Sequence, residues 1–260
     1  MVNLMSKVVK KNILVLVEGA KTDVKVMEKL FNIYEIDAKY KIVSYCTNIY
    51  TLYQEMFRDG IDGLEDMDIL QVLKAREKNI EKKKIFDKRY TDILLIFDLD
   101  PQDPQFVPEN IKLMQDYFCE SSDMGKLYLN YPMIEAFYHL SSIPDDEYFS
   151  RKVKLKELQD KKYKFRVQQE SMGNDYRKFA VSKDLCNIII LQNLTKAIFL
   201  ATGKSIKWKD IVVNANLIEL IDSNFILERQ LFHLKNDKFI YVLCTCVFYI
   251  IEYNPNLLLS

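Results

Sequence analysis

The chain has 260 residues, 49% of them hydrophobic, and its 37 basic residues balance 37 acidic ones to a formal net charge of zero. That length fits one domain with an elaboration or two small ones, and the apolar fraction supports a sizeable core. The charge balance excludes a protein that grips nucleic acid by bulk charge alone, while local basic surfaces and a site that recruits a cation stay open.

Residues 12–23, NILVLVEGAKTD, are the stretch around which the chain is organised. Five apolar residues (Ile13 to Val17) predict a buried strand of a parallel sheet. Glu18 then stands at the strand's carboxyl end, the edge of an open α/β sheet where ligands bind. Gly19 allows a sharp turn, Thr22 is the expected helix N-cap, and Asp23 suits the helix dipole. Val24, Met27, Leu30, Phe31 and Tyr34 recur at helical spacing. A second strand is expected over residues 40–45 and a helix over 49–57, closed by Gly60. This β-α-β-α rhythm predicts a parallel sheet.

Residues 64–88 interrupt it with a charged helical stretch containing Lys82, Lys83 and Lys84, either a solvated helix face or an arm that tracks phosphates. The sheet resumes at residues 92–97, DILLIF, followed at once by Asp98-Leu99-Asp100-Pro101. A helix is expected over 110–119, a short strand over 127–129, and a helix over 132–140 with Pro132 in its first turn. Residues 150–166 form a second basic patch, including Lys161, Lys162 and Lys164, with Tyr163 and Phe165 interleaved. From Ser182 onward the pattern is helical: 185–201, 208–221 and 224–253, with 239–251 ambiguous because it is rich in β-branched and aromatic residues. The expected organisation is an α/β domain over residues 1–145, with a charged helical insertion at 60–90, then a basic connection and helical subdomain over 146–260.

The five cysteines, Cys46, Cys119, Cys186, Cys244 and Cys246, are odd in number and scattered, as in a reducing cytoplasm. Cys244 and Cys246 form a C-x-C with no second pair at zinc spacing, and buried small hydrophobes are the expectation. The first twelve residues lack the apolar core of a signal peptide, and residues 240–251 are about half a membrane span. A soluble, cytoplasmic protein without membrane contact is expected.

Glu18, Asp98, Asp100 and Glu135 each follow a predicted strand or begin a helix after one. Residues two apart on extended backbone point the same way, so Asp98 and Asp100 are expected to share one site. Converging carboxylates repel, and burying them unpaired costs several kcal/mol each. A hard divalent cation removes that conflict, and Mg²⁺ is held by one or two carboxylates with waters and phosphate. Two ions about 4 Å apart stabilise both oxygens of a phosphodiester cleavage. The competing reading is that these acids only solvate turns between strand and helix, where Asp is common. His139 lies on the face of Glu135, either touching the site or satisfied in the core. His233, in a Leu/Phe-rich helix, reads as structural. Residues 171–175, SMGND, have turn character without a nucleophile's partner.

VEGAKTD followed by a helix, then LLIFDLD, resembles the TOPRIM domain shared by topoisomerases, primases and OLD-family nucleases. The E-G-x-K-T-D form is similar to the TOPRIM proteins of bacterial abortive-infection systems, the RloB/AbiL type. Residues 130–140, NYPMIEAFYHL, resemble that group's N-P-x-x-E-x-W/F signature with one residue inserted after the asparagine. The match covers about residues 12–140. The resemblance implies Glu18 as a metal ligand or general acid/base, Asp98 and Asp100 as the D-x-D metal pair, and Glu135 as an acid near a second metal. Gly19 and Asp23 fall on the motif's turn and helix start. Lys178 and Lys183 are candidates for the late lysine of OLD-like nucleases. The implied activity is a nuclease using Mg²⁺, or Mn²⁺, on DNA or RNA (including tRNA). Its implied setting is an anti-phage system with a separate ABC-type ATPase, since no G-x-x-x-x-G-K-[ST] phosphate loop is present. An RNA-maturation nuclease and a non-catalytic module binding nucleic acid or an ATPase are the alternatives, and a homo-oligomer is open.

Overall fold

The computed structural model describes residues 11–57, 68–174, 177–213, 217 and 221–258. Gly60, residues 64–67 of the charged stretch, Asp175, and residues 214–216 and 218–220 of the predicted helix 208–221 lie outside the described residues.

The first half alternates strands and helices: β1 (Asn12–Val17), α1 (Thr22–Ile33), β2 (Lys39–Ser44), α2 (Ile49–Met56), α3 (Ile69–Arg76), α4 (Ile80–Phe86), β3 (Asp92–Asp98), α5 (Pro108–Tyr117) and β4 (Lys126–Asn130). The four strands form one wholly parallel sheet in the order β2-β1-β3-β4. β1 and β3 are central and buried along nearly their whole length, which is why their sequences are continuous apolar runs rather than alternating ones. β2, at the edge, is half exposed. The chain leaves β1 toward β2 and then returns across β1 to β3. The switch point of the sheet therefore lies between the carboxyl ends of β1 and β3, where a crevice opens in such folds. The charged stretch divides into α3 and α4, each capped by its preceding side chain, Asp68 and Asn79.

The second half contains α6 (Leu155–Gln159), α7 (Tyr163–Glu170), α8 (Lys183–Thr202), α9 (Ser223–Asp237) and α10 (Phe248–Tyr253). α8 is apolar around its circumference, starts at the Ser182 cap and stops at Gly203 with φ 73°. It is long and apolar enough to cross a membrane, yet most of that stretch is buried inside the protein, the position of a core helix. α10 closes over the sheet, with Tyr249 stacked on Phe31 at 5.9 Å and edge-on to Tyr128 at 6.4 Å.

Four expectations are corrected. Residues 132–140 form no α-helix: the Tyr131–Pro132 peptide is cis, Met133 is extended, and only a 3-10 turn follows over Ile134–Phe137. Backbone bonds explain it, since Tyr131 pairs with Leu243 in both directions and Asp98 captures the Ile134 N–H. The helix expected over 224–253 is broken. Lys238, at φ 56°, ends α9, and Phe239–Tyr241 becomes strand β6, antiparallel to β5 (Lys152–Lys154). Between 208 and 213 only a 3-10 turn at Trp208–Asp210 forms. Thr22 is not the N-cap of α1; Lys21 holds that position without a side-chain bond.

Candidate metal centre

Three carboxylates meet at the switch point. One oxygen from each of Glu18, Asp98 and Asp100 lies within 4.8 Å of the others, the one such acidic group among the described residues. Glu18 follows β1, and its backbone N–H donates to Ile96 O at 3.1 Å, holding it beside β3. Its Oε2 accepts the Asp98 N–H at 3.1 Å. Asp98 closes β3 and is buried, and its Oδ1 accepts the Ile134 N–H at 2.8 Å. The expectation that Asp98 and Asp100 converge because both lie on extended backbone is right in outcome and wrong in reason. Asp100 sits at φ 38°, a left-handed turn that Asp tolerates better than most residues. That turn is tied down by Asp100 N–H to Pro132 O at 3.1 Å and by the Tyr50 hydroxyl, which donates to Leu99 O.

Gly19 leaves room for the Asp23 carboxylate. A Cβ on it would stand 2.6 Å from Asp23 Oδ2, because Asp23 turns back to accept the Gly19 N–H at 3.0 Å. Asp23 thus stabilises the bend after Glu18 and adds a buried negative charge behind it.

The electrostatics follow from this crowding. Two like charges 4.8 Å apart repel by on the order of 3 kcal/mol at an effective dielectric of about 20. Burial, then the charges of Asp100 and Asp23, push Glu18 up to about 8 despite the Asp98 N–H and Lys164. Burial and the neighbouring Glu18, Asp100, Asp23 and Glu135 hold Asp98 well above the usual carboxylate range. Burial raises Asp100 as well, against the opposing pull of Gln102 and Lys164.

Glu135 stands beside the triad rather than in it. Its Oε1 meets Lys164 Nζ at 3.0 Å, and its Oε2 is buried with no hydrogen-bond partner. Partial burial opposes the Lys164 charge, but Glu135, Asp98 and Asp100 outweigh it and hold the amine above the ordinary lysine value. Asn130, the register partner of Asp98 across β3 and β4, is fully buried with neither amide atom bonded. Three converging carboxylates with unpartnered oxygen donors beside them make a hard, oxygen-rich set of the kind that Mg²⁺ or Mn²⁺ takes.

Two of these residues were not anticipated as parts of the centre. Lys164 was grouped with Lys161 and Lys162 as a basic surface, since nothing local in sequence says which lysine of a run reaches an acid of the site. Asn130 belonged to the 130–140 motif, but only strand register puts it beside Asp98. The candidates for a late lysine fare differently: Lys183 lies over the Tyr34 ring at 5.9 Å, and Lys178 is exposed. His139 does not touch the acids. It is buried between Tyr163 O–H at 3.1 Å and Glu170 Oε2 at 2.8 Å. His233 pairs with Asp237 at 2.8 Å, as a structural residue would. Lys82 borders an open cleft of about 570 Å³ between the end of β2 and α3–α4, together with Tyr45, Glu55 and Arg76. Lys84 is held by Glu81 at 2.7 Å, and Lys83 is half-buried. Lys161 and Lys162 are exposed, with Lys162 3.6 Å from Asp160. Cys244 and Cys246 are buried with sulfurs 3.4 Å apart, while Cys46 and Cys119 are exposed. Comparison with protein-family models, with curated proteins and with solved structures finds no match for the chain.

Proposed function

We propose that this chain is a TOPRIM-type nuclease that hydrolyses nucleic-acid phosphodiester bonds with Mg²⁺ or Mn²⁺, as the effector of an anti-phage system activated with a separate ABC-type ATPase. The observation that carries the enzymatic reading is the convergence of Glu18, Asp98 and Asp100 at the switch point of a parallel sheet, all with raised pKa values. Folding has gathered charges that repel one another, and such an arrangement is retained where a ligand repays it. The resemblance of VEGAKTD and NYPMIEAF to the abortive-infection proteins supports the biological setting.

Glu18, Asp98 and Asp100 would hold the cation, with Glu135 alongside. A bound divalent ion supplies charge for the phosphate oxygens and acidifies a water molecule. The chain's own part is positional and electrostatic. Burial of Asp98 and its bond from Ile134 N–H fix one carboxylate, and the left-handed turn at Asp100 aims the second. The Lys164 ammonium, held beside these acids by Glu135, is placed to oppose negative charge on a scissile phosphate or to give a proton to the departing oxygen.

Incubation of the full chain with Mg²⁺ or Mn²⁺ and labelled DNA, RNA and tRNA, with and without the ATPase, tests this. Cleavage lost in the Asp98→Ala/Asp100→Ala variant is the expected result. Unchanged cleavage in that folded variant would overturn it, and nucleic-acid binding without cleavage under any of these conditions would favour the non-catalytic module.

A further inference from the structure

Helix α7, which carries Lys164, has two opposed faces. Tyr163 and Val167 are buried, and the ends of the buried face are fixed through His139, which bonds the Tyr163 hydroxyl at 3.1 Å and the Glu170 carboxylate at 2.8 Å. Arg166 adds bonds to Glu157 at 3.1 Å and to Lys152 O at 3.0 Å. The helix is therefore a rigid mount. Residues 164, 165 and 168 follow the spacing that places side chains on one face of a helix, and all three are exposed, as is Lys161 in the left-handed turn (φ 58°) that precedes the helix. Lys164 is the member of this face that reaches Glu135. Its neighbour Phe165, with a Cα about 3.8 Å away, leaves 62% of its surface open to solvent. A phenylalanine kept out of the core forgoes much of the stabilisation that burial would give it.

We propose that this face of α7, with the turn that precedes it, binds single-stranded nucleic acid, with an unpaired base stacked on the Phe165 ring and the flanking phosphates met by Lys161 and Lys164. The proposal rests on the reading of the carboxylate cluster as the place where the phosphodiester reacts. Continuity supplies one argument, since the platform begins one residue from the lysine that touches the acids. Charge supplies another, because the open ring is preceded by Lys161, Lys162 and Lys164. Lys162 and Lys156 share Asp160, at 3.6 and 2.9 Å, so few cations are left for phosphates. Stacking then carries a large share of the binding, in keeping with a chain of zero net charge. A single ring can stack only on a base whose face is not covered, which a duplex does not offer and an unpaired strand does.

The test uses the full chain carrying Glu18→Gln, so that bound strands stay intact, and fluorescence anisotropy with oligo-dT, oligo-rU and a blunt hairpin duplex. Adding Phe165→Ala is expected to weaken single-strand binding about 5- to 150-fold and to leave duplex binding unchanged. Phe165→Leu, which keeps apolar area without a ring, should also weaken it, whereas Phe165→Trp should restore it and show indole quenching on saturation. Single-strand binding that survives Phe165→Ala or Phe165→Leu, an equal loss for strand and duplex, or no single-strand binding by the parent would each overturn the proposal. The readout does not depend on cleavage. A chain that binds through Phe165 but cuts nothing would count against the nuclease alone, and cleavage that ignores Phe165 would count against the platform alone.

Discussion

The carboxylates at the sheet edge and the polar groups beneath the C-terminal helices are both withdrawn from water, yet the protein treats them in opposite ways. Around Lys196 and Asp145 the buried groups are answered, and among the described residues of the C-terminal region the only buried side-chain atoms without a hydrogen-bond partner are Glu157 Oε1 and Arg166 Nε, on α6 and α7. Lys196, fully buried, donates to Val242 O at 2.7 Å and lies 3.7 Å from the centre of the Tyr148 ring. Tyr148 donates to Asn193 Oδ1 at 2.7 Å, which also accepts the Cys244 N–H at 2.8 Å. Asp145 pairs with Arg151 at 3.0 Å and accepts the Ser141 and Glu147 N–H groups. Arg151 in turn donates to His139 O at 2.6 Å. At the sheet edge three acids face one another, and Glu135 Oε2 and the Asn130 amide are left unanswered. Buried polarity alone therefore does not mark a site; unsatisfied polar atoms gathered around converging like charges do.

That contrast can be broken most directly by mutation. Glu18→Gln should lower nuclease activity by about 10²-fold or more while metal-free stability holds or rises, because folding no longer has to keep a crowded carboxyl protonated or, above about 8, bury its charge. Activity assays beside thermal melts in EDTA read both effects, and a destabilised Glu18→Gln would move this residue into the satisfied class. Asp145→Ala should do the reverse, lowering stability by about 3–5 kcal/mol, since Arg151 would lose its buried partner; denaturant titration measures it.

Metal should act on one region only. At a hundredfold excess over its dissociation constant, Mg²⁺ or Mn²⁺ should raise stability by about 2.7 kcal/mol. The Asp98→Ala/Asp100→Ala variant should show no such gain, and a gain that persisted there would put the ion elsewhere.

The two regions should also titrate in opposite directions. Folded Glu18 keeps its proton to about 8, against the ordinary 4.5 of an unfolded glutamate, so the folded chain binds more protons between these limits. Metal-free stability from this group is full below pH 4.5 and is lost as pH rises toward 8. Burial, with Arg151, Arg166 and Lys196 nearby, lowers His139 to about 3 from 6.5, so there the unfolded chain binds more protons. Its contribution is full above pH 6.5 and is lost as pH falls toward 3, by at most about 1.4 kcal/mol per pH unit. Glu18→Gln should flatten the upper slope and His139→Gln the lower one in pH-resolved melts.

The smallest effect is expected at the surface. Replacing Lys82, Lys83 and Lys84 with Gln should change stability by no more than about 0.5 kcal/mol. If α4 borders the path of the substrate, the salt dependence of binding should flatten by up to about 0.9 log units per lost contact on B-DNA. An unchanged slope would leave that helix a solvated face.

Several of these features were legible before the fold was seen. The runs at 13–17 and 93–97 are apolar throughout, and only strands covered on both faces need that, so a parallel sheet with Glu18 and Asp98 at its carboxyl edge followed from local pattern. Gly19 was marked as a turn and Asp23 as an acid at the helix start; Asp23 does stand in the first turn of α1, and it also turns back to accept the Gly19 N–H. What the pattern could not carry were decisions made between distant segments. Pro132 suggested a helix, but pairing of Tyr131 with Leu243 and capture of Ile134 by Asp98 drew that backbone into an extended path. Residues 239–241 became a strand because residues 152–154 lay there to pair with. Lys164 was one basic residue among many until α7 packed against His139 and turned that amine toward Glu135. Hydrophobic period and turn chemistry are properties of neighbours in sequence, and they placed the strands and the acids at their ends. Which backbone groups find partners, and which charges are left facing each other, depends on contacts between segments far apart in sequence, and only the tertiary structure decided them.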